Sequence, residues 1–458
     1  MCAGVRRLLI RMQVAAVVAV VSTEVPASAY SVLSHEANVD ALWRTHLSPL
    51  IHRRFPNASA VEIAASRAYA YGGSVIQDLG YYPFGSHLFS NLLHYVRSGD
   101  FVEALLHDAR DPNEFAFALG ALAHYAADNA GHPEAVNLAV PMMYPKLEAK
   151  YGRRVTYEQS PKSHILVEFS FDVVQVAAGV YAPASYHDFI GFEVAKPLLE
   201  RTFRRIYGLE MKDVFVDEDL VIGTYRFAVS QAIPNATKVA WRDKRDAIEK
   251  VTPGIERQKF VFNMSRQEYE RQFGREYRRP GVFVRFLTFL YKLVPKIGPF
   301  KYFSFKPPTP EAEKLFLQSF VDARERFRQS IEALAAGRLT LPNTNFDVGR
   351  PTSRGEYSLA DETYDDLLKK LEKRKFAGVS AELRTNIDRH YGSARGARPV
   401  TELRFSCRTC VDGRSFDSGG ARPSHRRRRR SRATERCDAA GGSAAGQRPR
   451  LYARLGRT

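Results

Sequence analysis

Between residues 3 and 406 the sequence contains no cysteine; the four in the chain are Cys2, Cys407, Cys410 and Cys437. The body therefore carries no disulfide framework and no thiolate metal site. Histidine is missing from 210 to 389, and lysine from 393 to 458. Past the first few dozen residues no segment reaches the roughly 18 uncharged apolar residues of a spanning helix, so the mature chain is expected not to cross a membrane. Alternating β-branched runs and internal repeats are also lacking, which argues against sheets and solenoids.

What is present divides unevenly. Of the +18 net charge, residues 393–458 contribute 17 Arg against 5 acidic residues, or +12, leaving +6 for the other 392 positions. Basicity is thus a property of the tail, where "RRRRR" at 426–430 among Gly, Ser and Ala predicts disorder. The "CRTC" pair at 407–410 has redox or zinc spacing but stands alone in that tail. At the other end, Arg6, Arg7 and Arg11 precede the apolar "MQVAAVVAVV", and "ASA" at 27–29 offers a small-residue cleavage site. Residues 1–29 therefore read as a signal peptide, and the mature protein as secreted or periplasmic.

Between these ends the pattern is helical. "VEIAASRAYAYGGSVIQDL", "NEFAFALGALAHYAADNA", "SHILVEFSFDVVQVAAGVY" and "EAEKLFLQSFVDARERFRQSIEALAAG" space apolar residues three and four apart. Gly and Pro clusters such as "YYPFGS" and "FKPPTPE" separate them. The expected fold class is all-α. Ten of the twelve histidines lie between His35 and His187. That change in composition suggests a first unit over 30–208, a helical extension over 209–392 and the basic tail over 393–458.

Three histidines precede an acid by four residues, the spacing that puts both side chains on one helix face. His107 and Asp111 sit in the polar "LLHDARDPNE", where a solvated pair is the simpler reading. His124 with Asp128 and His164 with Glu168 lie instead in apolar surroundings, where unpartnered ionisable groups are rare. Satisfied core histidines remain the alternative to metal ligation on spacing alone. His35, Asp78 in "GGSVIQDLGYYP" and His94 in "NLLHYV" are further candidates, with His87 competing for the place of His94. His132 falls between Gly131 and Pro133, where the helix should end and turn its ring away from the His124 face. Nitrogen and carboxylate ligands without sulfur suit catalytic zinc.

In this order, a His near a mature N-terminus, then an Asp, a His, His-x-x-x-Asp, a His and His-x-x-x-Glu, the chain resembles the zinc-dependent phospholipase C family. It is similar in the same way to the related single-strand-specific zinc nucleases of fungi. The resemblance spans about residues 30–208 and implies an all-helical phosphodiesterase with up to three zinc ions. It implies that Asp78, His94, His124 and Asp128 hold one zinc, and His132, His164 and Glu168 another. The third would take His35, Asp128, and the α-amino group and carbonyl of Tyr30 after cleavage at Ala29. Tyr30 departs from the Trp that begins characterised relatives, and Glu168 is the acid of the phospholipases rather than of the nucleases.

The activity implied is phosphodiester hydrolysis by a metal-activated water, with Asp78 as the candidate to orient or deprotonate it. Phospholipid is the first substrate expected. A nuclease or nucleotidase, and a non-catalytic zinc-binding surface protein, are the alternatives. Residues 275–306 hold eight basic residues and one acid, with Phe283, Phe286, Phe289, Leu290 and Leu293 helically spaced. Such a stretch can lie on an anionic lipid surface or pack as an ordinary helix. Tyr81, Tyr82 and Phe84 are candidates to line a pocket near the metals.

Overall fold

The helical spacing of apolar residues becomes an all-α fold in the computed structural model. It describes residues 31–178, 192–229 and 306–392, with isolated positions between 241 and 254. Helix α1 spans Val32–Leu42 and passes through a π-turn, Trp43–Leu47, into α2, Ser48–Arg54. Then come α3, Ala60–Val75, a 3₁₀ turn, Ile76–Tyr81, α4, His87–Tyr95, and α5, Ser98–Asp108. Helix α6 is Pro112–Gly131; a second π-turn, His132–Val136, leads to α7, Asn137–Met143, and α8, Pro145–Tyr151. Helices α9, Pro161–Ala178, α10, Lys196–Tyr207, α11, Met211–Val214, and α12, Glu218–Phe227, follow. The later part comprises α13, Pro310–Ala335, a hairpin of β1, Thr344–Asn345, and β2, Arg350–Pro351, then α14, Ser358–Lys373, and α15, Ala381–Gly392. The hairpin pairs Thr344 with Pro351 and Asn345 with Arg350, antiparallel.

Helix α6 is the axis of the molecule. Its start is written in "DPNE": the Asp111 carboxylate accepts from the Glu114 amide at 2.9 Å, and Pro112 occupies a position whose N–H has no helical partner. From Glu114 to Gly131 every residue is buried, so the helix is apolar all round because neighbours cover it all round. Helices α1, α3, α5 and α13 pack on it. The approach of α3 is set by glycine. A Cβ on Gly73 would lie 1.8 Å from the Phe117 carbonyl oxygen, and one on Gly120 2.0 Å from that of Ala70. Only residues without Cβ allow the two backbones this close.

Helix α3 ends at Val75, four residues before the end of the stretch whose spacing suggested a single helix. Asp78 consequently sits on the tighter 3₁₀ turn rather than on the helix. The core does not stop at residue 209. Phe316, Phe320 and Phe327 of α13, Phe346 of the hairpin and Leu367 of α14 share one apolar cluster with Leu92, Phe117 and Phe203. Described residues of the later segment are therefore packed into the first unit's core. Residues 1–29, expected to be a signal peptide, Tyr30, residues 275–305 and the tail from 393 lie outside the described residues. Among those described, no helix is long and apolar enough to cross a membrane.

Candidate metal centre

His124 and Asp128 occupy successive turns on one face of α6. The His124 Nε2 lies 3.0 Å from Asp128 Oδ2. Around Asp128 stand three more rings: His94 Nε2 at 3.3 Å, His132 Nε2 at 3.9 Å and, at the other oxygen, His35 Nε2 at 3.5 Å. One carboxylate thus faces four imidazoles from α1, α4, α6 and the following π-turn. Asp78 Oδ1 joins from the 3₁₀ turn, 3.4 Å from His94 Nε2. Two groups that share His124 have ligand-type atoms all within 4.8 Å of one another: His35, His124 and Asp128, and Asp78, His94 and His124. His94 is buried in this cluster, whereas the competing His87 is exposed, its ring edge-on to Tyr81.

Backbone carbonyls decide which ring nitrogens are left for a cation. A carbonyl only accepts, so the nitrogen facing it must carry the proton. His94 Nδ1–H donates to the Ser90 carbonyl at 2.7 Å, and His124 Nδ1–H to that of Ser74 at 2.9 Å. In both rings Nε2, the nitrogen directed at Asp128, is therefore the one left for a cation. His124 reaches Ser74 only because the glycine contact draws α3 against α6. In His164 the roles are reversed: Nε2–H donates to the Val155 carbonyl at 2.6 Å, which leaves Nδ1 as the free nitrogen. A second N–H bond of this kind fixes the tautomer and orientation of metal-binding imidazoles.

That free Nδ1 lies 3.6 Å from Glu168 Oε1, one turn along α9. The group that His164 forms with His132, however, is completed by a residue the sequence pattern did not single out, Asp347. Its Oδ1 is 3.2 Å from His132 Nδ1. "NFDVGR" contains no helical His partner for it, and only the fold of the hairpin brings it here. His132 sits where the helix was expected to end. The chain passes into a π-turn there, and the ring faces both Asp128 and Asp347.

The chemistry of this assembly is that of a cation site. None of the nine residues His35, Asp78, His94, His124, Asp128, His132, His164, Glu168 and Asp347 is more than 4 % exposed. Nonetheless His94 Nε2, His124 Nε2, both Asp128 oxygens, His132 Nδ1, His164 Nδ1 and Asp347 Oδ1 make no hydrogen bond among the described residues. Neither Asp128 nor Asp347 is paired with a lysine or arginine among the described residues. Buried polar atoms normally find partners, and a buried carboxylate needs a counter-charge. Convergent lone pairs and carboxylate oxygens fit zinc, which takes nitrogen and oxygen donors. Burial would raise the Asp128 pKa, but His124, His94 and His35 outweigh it and hold the carboxyl well below its usual range. For His35, burial and then the adjacent His124 ring push the pKa well down, consistent with stacking at 4.2 Å and 9°.

Other expectations fared variously. His107 and Asp111 do not pair. His107 Nδ1 lies 2.9 Å from Asp108 Oδ1, and Asp111 caps α6. Tyr81 is buried with its ring 5.7 Å from that of His94, and its hydroxyl donates to Asn91 Oδ1 at 2.9 Å. Tyr82 stacks on Tyr225 at 3.7 Å, and Phe84 packs at the margin of the core. The other acid on the α9 face, Asp172, accepts from the Leu33 and Ser34 amides at 2.9 and 3.0 Å and so fastens the start of α1, which carries His35.

Comparison with known proteins adds one finding. Residues 41–215 match the family described as zinc dependent phospholipase C. No curated protein and no solved structure matches the chain.

Proposed function

From the match of residues 41–215 to the zinc-dependent phospholipase C family, a family of hydrolases, we infer that this protein hydrolyses a phosphodiester, with phospholipid as the substrate. The observation that carries the reading is the convergence of four buried imidazoles on Asp128, with their ligand-type atoms directed at one another. We assign Asp78, His94, His124 and Asp128 to one zinc. A second is assigned to His132, His164 and Glu168, and a third to His35, Asp128 and the backbone amine and carbonyl of Tyr30. When bound, ions in such a cluster acidify a water and offset charge growing on the phosphoryl oxygens.

The chain's own residues supply the rest. His94 and His124, oriented by the Ser90 and Ser74 carbonyls, hold Nε2 in place as the nitrogen that would bind a cation. Asp128, central to the cluster, ties neighbouring positions together. Asp78 is our candidate to orient the water and take its proton, being the carboxylate at the edge of the group with His94. Export follows from the signal-like leader, since cleavage after Ala29 frees the Tyr30 amine, whose pKa near about 8 lets a metal displace its proton at neutral pH. The secreted or periplasmic location and lipid-surface contact through 275–306 belong to the same proposal.

The test is to assay mature protein on phosphatidylcholine vesicles and on single-stranded DNA, each with and without chelator. Release of the phosphorylated head group, abolished by chelator and restored by zinc, is the expected result. Cleavage of DNA alone would shift the assignment to a nuclease. Turnover unaffected by chelation, or no turnover on either substrate, would remove the phosphodiesterase reading.

A further inference from the structure

Residues 342–357 form a short strap that crosses the metal centre from outside the family-matched segment. It is fastened along its length to helices of the first unit. Tyr125 OH donates to the Pro342 carbonyl at 2.8 Å, and Ser98 Oγ to that of Thr344 at 2.6 Å. The Phe346 amide donates to the His94 carbonyl at 3.2 Å, and Thr352 Oγ1 to that of Tyr95 at 2.7 Å. Asn137 Nδ2 donates to the Asp347 carbonyl at 2.7 Å, while the Asp347 amide donates to Asn345 Oδ1 at 2.9 Å. Phe346 lies edge-on to the ring of His94 at 5.2 Å.

The Asp347 side chain is held the way a ligand is held. Its Oδ2 accepts from the Tyr157 amide at 3.0 Å and from the Tyr357 hydroxyl, which fixes the plane of the carboxylate. The other oxygen, Oδ1, makes no hydrogen bond among the described residues and points to His132 Nδ1 at 3.2 Å. That nitrogen has no hydrogen bond either, nor has the Nδ1 of His164, whose Nε2–H is committed to Val155. Three donor atoms from three separate segments thus meet in a space of one cation, at a residue only 1 % exposed. A carboxylate buried with one oxygen bonded and the other bare is costly unless positive charge faces it.

We propose that Asp347 is a direct ligand of the cation held by His132 and His164, with Glu168 beside them. The later segment is then a working part of the metal centre rather than an appendage. The proposal rests on the reading of this cluster as a zinc site, and its test separates the two. Zinc per chain, after dialysis against metal-free buffer, is measured on the full-length protein and on Asp347→Asn. Asparagine keeps the shape and can still meet Tyr157 and Tyr357, so the strap should stay in place, as helix content and melting would record. Expected is loss of one zinc equivalent, a larger effect than the about 10–100-fold weakening that loss of an outer partner of a ligand causes.

A second variant, Asp347→Cys, reports ligation directly. Residues 3–406 contain no cysteine, so with cobalt in place of zinc a thiolate-to-metal absorption band beyond any that Cys407, Cys410 and Cys437 of the tail give the parent protein marks position 347. Undiminished zinc content and affinity in Asp347→Asn overturns the proposal while leaving the zinc site intact. Zinc lost from Asp347→Asn with no added cobalt band from Asp347→Cys overturns direct ligation and makes Asp347 a positioning residue for His132. A parent protein that takes up no zinc sinks the site reading itself, and this proposal with it.

Discussion

At the scale of the residue, the Asp128 side chain has no partner among the described residues that is not a histidine. Its oxygens face His35, His94, His124 and His132, and neither makes a hydrogen bond. Removing it takes a shared anion from every position around it. Asp128→Ala should therefore release more than one zinc per chain, measured by metal analysis, whereas His107→Ala should leave the content unchanged. His107 is half exposed and, among the described residues, its ring is bonded only to its neighbour Asp108. Intact stoichiometry in the first variant would refute the central role. His124 and Asp128 were legible in the sequence because a four-residue interval inside an apolar helix puts two costly groups on one buried face. Asp347 was not, because no local interval relates it to any histidine.

At the scale of the element, the close approach of α3 and α6 positions His124, and it depends on Gly73 and Gly120. Gly120→Ala would drive a methyl group to 2.0 Å from the Ala70 carbonyl, a backbone atom that cannot rotate aside. We expect a loss of at least about 1–3 kcal/mol in denaturant unfolding. Weaker zinc retention should accompany it, because the Ser74 carbonyl recedes from His124. A variant as stable as the parent would show that the helices can separate at little cost. At the start of α3 the capping box pairs Ser59 with Glu62, through the Glu62 amide at 3.2 Å and the Ser59 amide at 2.8 Å. Ser59→Ala should cost about 1 kcal/mol and leave metal content alone, since this end is exposed and far along the helix from Ser74. Helix starts such as "NASAVE" and "DPNE" are readable because the cap is local in sequence.

At the scale of the whole molecule, the cation centre is where the family-matched segment and the later helices meet. Helix α13 lies along α6, and the strap is bonded to α4, α5 and α6. Ions bound there stabilise the folded chain and not the unfolded one, by about 4 kcal/mol for a site at a thousand times its dissociation constant. Chelation should accordingly lower the melting temperature of the parent protein, and Asp128→Ala should respond much less. An identical shift in the variant would locate the stabilising metal elsewhere. The boundary near residue 210, suggested by composition, is crossed by a continuous core in the described residues. Composition follows chemistry along the chain, while packing follows volume, so a change in histidine content need not mark a change in core.

By itself the sequence determined the helices, their caps and the buried pairs His124 with Asp128 and His164 with Glu168, since each rests on intervals of three or four residues or on a local cap. The order of those residues was enough to suggest the family. Only the tertiary structure decided that His35, Asp78, His94 and His124 gather on Asp128, which nitrogen each ring leaves free, and that Asp347 joins them. Those outcomes depend on backbones brought together across more than 200 positions of chain, from His132 to Asp347. No interval along a single segment encodes such a distance.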